Sequence, residues 1–159
     1  MSAKLAKSIV DKELSMDDGI ELVEFDFFGG EPFLEFETIR EVVEYTVQKE
    51  YNKDYIFFIT TNGALLNDEI KEWLKAHTDV LQVGLSLDGT KEMHDINRCG
   101  SFDKIDLEFF KTVYPEESVK MTISKETLGN LAEGVIFAQD LGYEVSCNLA
   151  YGIDWDCEE

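Results

Sequence analysis

Runs rich in β-branched and aromatic residues alternate with helix-periodic stretches along the whole chain, and this alternation restricts the fold more than any other feature. The apolar spacing predicts helices over 3–14, 37–50 and 127–141, a helix capped by Asn67, and a short helix over 103–111. Strands are predicted between them, over 22–28, 55–60, 80–87, 119–123 and 144–150. Leu5, Ala6, Ile9 and Val10 mark the apolar stripe of the first helix, and Ile39, Val42, Val43 and Val47 that of the second. Ile70, Trp73 and Leu74 face inward from the third, Leu131, Val135 and Ala138 from the last, and Gly142 caps that last helix. Residues 90–101 read as an irregular polar stretch. Strands separated by helices pair in parallel through right-handed crossovers. The expected fold is α/β: one domain over 1–159, a partial parallel (β/α) barrel of about five strands.

Ligands of parallel α/β folds bind at the carboxyl ends of the strands. Three strands of this chain end there on special turns: Gly29-Gly30-Glu31-Pro32, Thr61-Asn62-Gly63 and Ser86-Leu87-Asp88-Gly89. The two glycines at 29 and 30 remove side chains where a strand opens onto a ligand. Glu31 adds a carboxylate, and Pro32 keeps Glu31 out of the helical region. Taken singly, each turn is an ordinary chain reversal. His94 alone reads as an exposed polar residue, and Arg98 with Asp103 as a surface ion pair.

Charge excludes some partners. The chain carries 14 basic and 34 acidic residues, a formal charge of −20. Nucleic-acid affinity rests on Lys and Arg at phosphates, so nucleic acid is not expected, nor is an anionic membrane. No apolar run approaches a membrane span, and a cytoplasmic location is expected. Cys99, Cys147 and Cys157 lie far apart, which suggests no disulfide framework and no metal cluster. They are expected to be two partly buried thiols and one near the chain end.

Taken in order, the three turns resemble the core of radical S-adenosylmethionine (radical SAM) enzymes. The likeness is to the branch of anaerobic sulfatase maturases and of peptide-modifying enzymes with auxiliary iron–sulfur domains. It continues through His94-Asp95, Arg98, Gly100-Ser101-Phe102-Asp103, Asn130-Leu131 and Leu141-Gly142. The resemblance implies that Gly29, Gly30 and Glu31, with Pro32, hold the methionyl ammonium of S-adenosylmethionine. It implies that Thr61 and Asn62 line the cleft, that Ser86 and Asp88 bond polar groups of the cofactor, and that Arg98 pairs with its carboxylate. Leu149 and Ala150 would flank the adenine. No residue of this chain is assigned as catalytic.

The same resemblance implies a 4Fe–4S cluster on a C-x-x-x-C-x-x-C segment, which cleaves the cofactor to a 5′-deoxyadenosyl radical that attacks a peptide or protein. This chain holds no such segment. It is therefore expected to be a core that starts past the first strand and the cluster loop. By itself it would be inactive and would bind neither cofactor nor cluster tightly. The strand at 22–28 would then be an open sheet edge that favours self-association. Two other functions stay open: a binding module without a cluster, and an unrelated partial (β/α) barrel enzyme using Glu31, Asp88 and His94 as acid–base groups.

Overall fold

Periodicity places every long element where the computed structural model has one. The structure describes residues 1–155, so the reading of Cys157 lies outside the described residues. In chain order the elements are α1 (Ala3–Ser15), β1 (Leu22–Phe27), α2 (Phe36–Val47), β2 (Asp54–Thr61), α3 (Asp68–Lys75) and β3 (Leu81–Leu85). They continue as α4 (Lys91–Asn97), α5 (Leu107–Val113), β4 (Val119–Ile123), α6 (Leu131–Asp140) and β5 (Val145–Leu149). The architecture is mixed α/β with parallel strands. The chain packs as two compact units: Met1–Thr61 with Leu65–Val83, and Asn62–Ala64 with the chain from Gly84 onward.

The first unit is built on a sheet of order β1-β2-β3. β1 and β2 run parallel in a register that sets Phe25 against Phe57 and Phe27 against Ile59. The Phe57 ring lies 5.5 Å from that of Phe25 and 5.4 Å from that of Phe27. Val10 and Leu14 of α1 and Ile39, Val42 and Val43 of α2 are buried in the same unit's core. Ser2 caps α1 and Asn67 caps α3, each accepting from a backbone N–H three residues on. The stripe of α1 differs from expectation. Leu5 is 52% and Ile9 37% exposed, because the buried line runs through Val10 and Leu14. Helix α2 stops at Val47 rather than at 50, and Tyr51 beyond it donates to Asp11 Oδ1 at 2.7 Å.

In the second unit β4 and β5 pair in parallel from Val119 with Val145 to Ile123 with Leu149. Ser86 forms an isolated parallel bridge to Lys120, and the Leu87 N–H donates to the Lys120 carbonyl at 3.1 Å. Ala138, Phe109, Phe110, Tyr114 and Met121 are buried here. Gly142 closes α6 with φ +89°, and its N–H donates to the Gln139 carbonyl at 2.8 Å. The polar stretch at 90–101 is not irregular. It contains α4, capped by Thr90 Oγ1 accepting from the Met93 N–H at 3.4 Å. The helix predicted over 103–111 is a 3-10 turn at Phe102–Lys104 followed by α5.

Candidate functional site

β1 leads directly into the first turn. Gly29 and Gly30 are exposed, neither has a positive φ, and a Cβ built on either would meet nothing within 4 Å. The fold therefore does not require glycine at 29 or 30. Glu31 is extended at φ −143° and ψ 110°, as the following proline dictates. Its Oε1 accepts from the Phe33 N–H at 3.2 Å, capping the 3-10 turn Pro32–Glu35, and from Thr61 Oγ1 at 2.8 Å. Thr61 is buried, so a residue at the end of β2 anchors the carboxylate at the end of β1. Phe28, next to the glycines, is 86% exposed.

The turns of the second unit are built differently. Asn62 Oδ1 accepts from the Ala64 N–H at 2.9 Å, a local turn that Gly63 completes at φ +74°. A Cβ on Gly63 would lie 3.0 Å from Leu85 Cδ1 and 3.2 Å from both Ile105 Cγ2 and Phe110 Cε2. Gly89 has φ +82°, and a Cβ there would stand 2.8 Å from Gly134 Cα. Packing requires both glycines.

Ser86 and Asp88 are buried beside Gly89. Arg98 grips the Asp88 carboxylate with two bonds, Nε to Oδ2 at 2.7 Å and Nη2 to Oδ1 at 3.1 Å. Oδ1 also accepts from the Thr122 N–H at 2.7 Å, so β4 holds the same group. The Asp88 N–H donates to His94 Nδ1 at 3.3 Å, and His94 Nε2 lies 3.0 Å from Ser101 Oγ. An imidazole that accepts at Nδ1 carries its proton on Nε2, so Ser101 receives that proton in a hydrogen bond. His94 is 0% exposed and its pKa is lowered, chiefly by burial.

Three expectations are thereby corrected. His94 is a buried member of a network, because α4 turns its side chain inward. Arg98 pairs with Asp88, while Asp103 pairs with Lys91 at 2.7 Å. Cys99 and Cys147 are both exposed rather than partly buried, Cys99 because it sits at φ 54° in the loop after α4. Leu149 is 55% exposed at the end of β5, and the Ala150 N–H donates to the Ile123 carbonyl at 2.9 Å. The structure joins Glu31 with Thr61 in one unit and Asp88 with Arg98 in the other. Sequence reasoning overlooked Thr122, whose part is played by a backbone N–H. It missed α4 although Thr90, with acidic Glu92 in the first turn, was a legible start signal.

Among the described residues no group of three or more His, Cys, Asp or Glu could hold a metal ion. Among the described residues no helix is long and apolar enough to cross a membrane.

Comparison with known proteins adds the following. A family profile described as a 4Fe-4S single cluster domain matches residues 1–101. A cysteine-type anaerobic sulfatase-maturating enzyme of Clostridium novyi is 34% identical over 114 residues, which cover 65% of this chain and 29% of the relative. A radical SAM cyclopropyl synthase, TigE, of Paramaledivibacter caminithermalis is 32% identical over 127 residues, covering 76% of this chain and 25% of the synthase. The solved structure of native anSMEcpe with bound AdoMet and Kp18Cys peptide shares the fold. Its TM-score is 0.80 at 24% identity, over 94% of this chain and 43% of that one. The chain thus spans between a quarter and about a third of the length of the curated relatives it matches.

Proposed function

The chain belongs to the 4Fe-4S single cluster domain family, within the radical SAM enzymes that include the anaerobic sulfatase maturases, and from this premise we propose that it is part of the cofactor-binding core of a peptide- or protein-modifying enzyme. Its strands contribute to the parent's partial (β/α) barrel. The observation that carries the reading is the Gly29-Gly30 turn. These are two glycines that neither φ nor packing explains, followed by a carboxylate anchored from β2. A bare main chain beside a fixed carboxylate suits an ammonium group, whose three N–H donors take acceptors at set positions.

Roles are proposed within each unit. In the first, the Gly29 and Gly30 carbonyls and Glu31 receive the methionyl ammonium, with Pro32 and Thr61 holding the turn. In the second, Ser86 and Asn62 meet polar groups of the cofactor, Arg98 meets its carboxylate, and Leu149 and Ala150 flank the adenine. When bound at a cluster in the parent, S-adenosylmethionine supplies the radical for hydrogen abstraction from the substrate. The described residues do not fit the cluster itself, so its ligands are not among them. Accordingly this chain binds the cofactor weakly and is inactive alone. The exposed thiols of Cys99 and Cys147 suit a reducing cytoplasm.

A titration of the isotope-labelled chain with S-adenosylmethionine tests the reading. Amide shifts are expected at Gly29, Gly30, Glu31, Ser86 and Arg98 at millimolar ligand. An unperturbed spectrum overturns the assignment. We further propose self-association through β1, which among the described residues lies at the edge of its sheet beside β2 and keeps Leu22 58% exposed. A monodisperse monomer by light scattering at high micromolar concentration would refute this second point.

A further inference from the structure

The Asp88 carboxylate is 1% exposed and accepts three hydrogen bonds from within its own unit, two from Arg98 and one from the Thr122 N–H. Little acceptor capacity remains for a ligand. Its partner is in the opposite condition. The Arg98 side chain is 26% exposed. Asp88 takes Nε–H and one Nη2–H, and Thr122 Oγ1 lies 3.4 Å from Nη2. Among the described residues nothing accepts from Nη1. The guanidinium is thus clamped along one edge and offers two N–H groups along another.

We propose that Asp88 is a positioning residue that never touches the ligand: it holds Arg98 side-on so that Nη1 receives the carboxylate of an α-amino-acid group. The inference rests on the cofactor reading above and assigns Asp88 a different task within the same site. A planar guanidinium gripped at two points has a fixed plane and direction. Asp88 is itself fixed from β4 by Thr122 and from α4 by His94, which accepts its backbone N–H. The pair is close to neutral, so what Asp88 contributes is direction rather than charge. A lysine at 98 would keep the charge and lose the direction.

Two probes separate this role from structural support: S-adenosylhomocysteine, which carries the amino-acid carboxylate, and 5′-methylthioadenosine, which lacks it. Both are titrated into the full chain by ligand-observed NMR, which reads weak binding. Losing one charge-assisted contact costs about tenfold in affinity. Asp88→Asn is therefore expected to weaken S-adenosylhomocysteine by about that factor and to leave 5′-methylthioadenosine within about twofold. In an Arg98→Lys background, Asp88→Asn should add nothing further. Equal weakening of both probes, or no weakening of either, overturns the positioning role. Should Asp88→Asn fail to fold, Arg98→Lys alone decides: it must lose S-adenosylhomocysteine selectively, and unchanged binding refutes the proposal. If wild-type chain binds neither probe, the cofactor reading fails and the positioning role fails with it.

Discussion

The turn at 29–32 and the turn at 86–89 both end a parallel strand on glycine, yet they are held in opposite ways. At the first, the glycines are exposed and unstrained, and a methyl group would fit at either position. At the second, Gly89 is left-handed and wedged against Gly134, with Asp88 bonded to Arg98, Thr122 and His94 around it. The units differ likewise in where they keep their polar network. In the first unit, besides the Glu31 bonds at the turn, a network lies away from it, where Asp11 accepts from Tyr45 at 2.5 Å and from Lys49 and Tyr51 at 2.7 Å each. In the second unit the network surrounds the turn. Glycine in a strand-end turn therefore stands in two settings: open space at one site and close packing at the other.

Substitution at Gly89 should give the largest effect. Gly89→Ala forces a side chain into a left-handed backbone and against the main chain of Gly134, at a cost of about 3 kcal/mol in urea unfolding. A change below about 0.5 kcal/mol would erase the contrast between the turns. His94→Ala should come next. It removes a buried ring and leaves the Asp88 N–H without its acceptor, for about 2 kcal/mol.

The same histidine predicts a pH effect of definite sign. Burial lowers its pKa in the folded state, Arg98 and Lys91 push the same way, and Asp88 and Asp95 oppose them. The unfolded chain takes up the proton near about 6.5 while the folded chain does not. Stability is therefore full above that pH and declines as pH falls toward the folded value. Thermal melts from pH 8 to 5 should show this decline in wild type and a flatter profile in His94→Gln.

A smaller effect is expected in the network of the first unit. The Lys49 bond, followed by those of Tyr45 and Tyr51, holds Asp11 at a pKa of about 2. A depressed carboxylate stabilises above its unfolded pKa, so this contribution fades between about pH 4 and about pH 2. Because the site is partly exposed, Asp11→Asn should cost under about 1 kcal/mol. Smallest of all on stability is Gly30→Ala, expected to leave it unchanged or to raise it by up to about 1 kcal/mol. That variant should nonetheless weaken S-adenosylmethionine binding, seen as lost amide shifts at Glu31. Retained binding would give the two turns the same meaning after all.

Most element boundaries were legible because they follow from local periodicity and caps. Asn67 before Asp68-Glu69 announced α3, and Gly142 announced the end of α6. α4 was missed because its few apolar residues, Met93 and Ile96, make no obvious stripe over a single short helix. The turns at 29–32, 61–63 and 86–89 were found from residue type and order. What distinguishes Gly30 from Gly89 was not, since both are simply glycine after a strand. Arg98 was expected to pair with Asp103, closer in sequence than the Asp88 it binds.

Alone, the order of residues determined the parallel α/β plan and the three strand-end turns, because hydrophobic period and turn chemistry act over a few neighbours; the family came from the resemblance those turns carry in their order. Tertiary packing decided which carboxylate Arg98 grips, which backbone N–H completes it, and which glycine has a neighbour pressed upon it. Those contacts join residues far apart in the chain, such as Asp88 with Thr122 and Gly89 with Gly134, and no local pattern encodes their meeting.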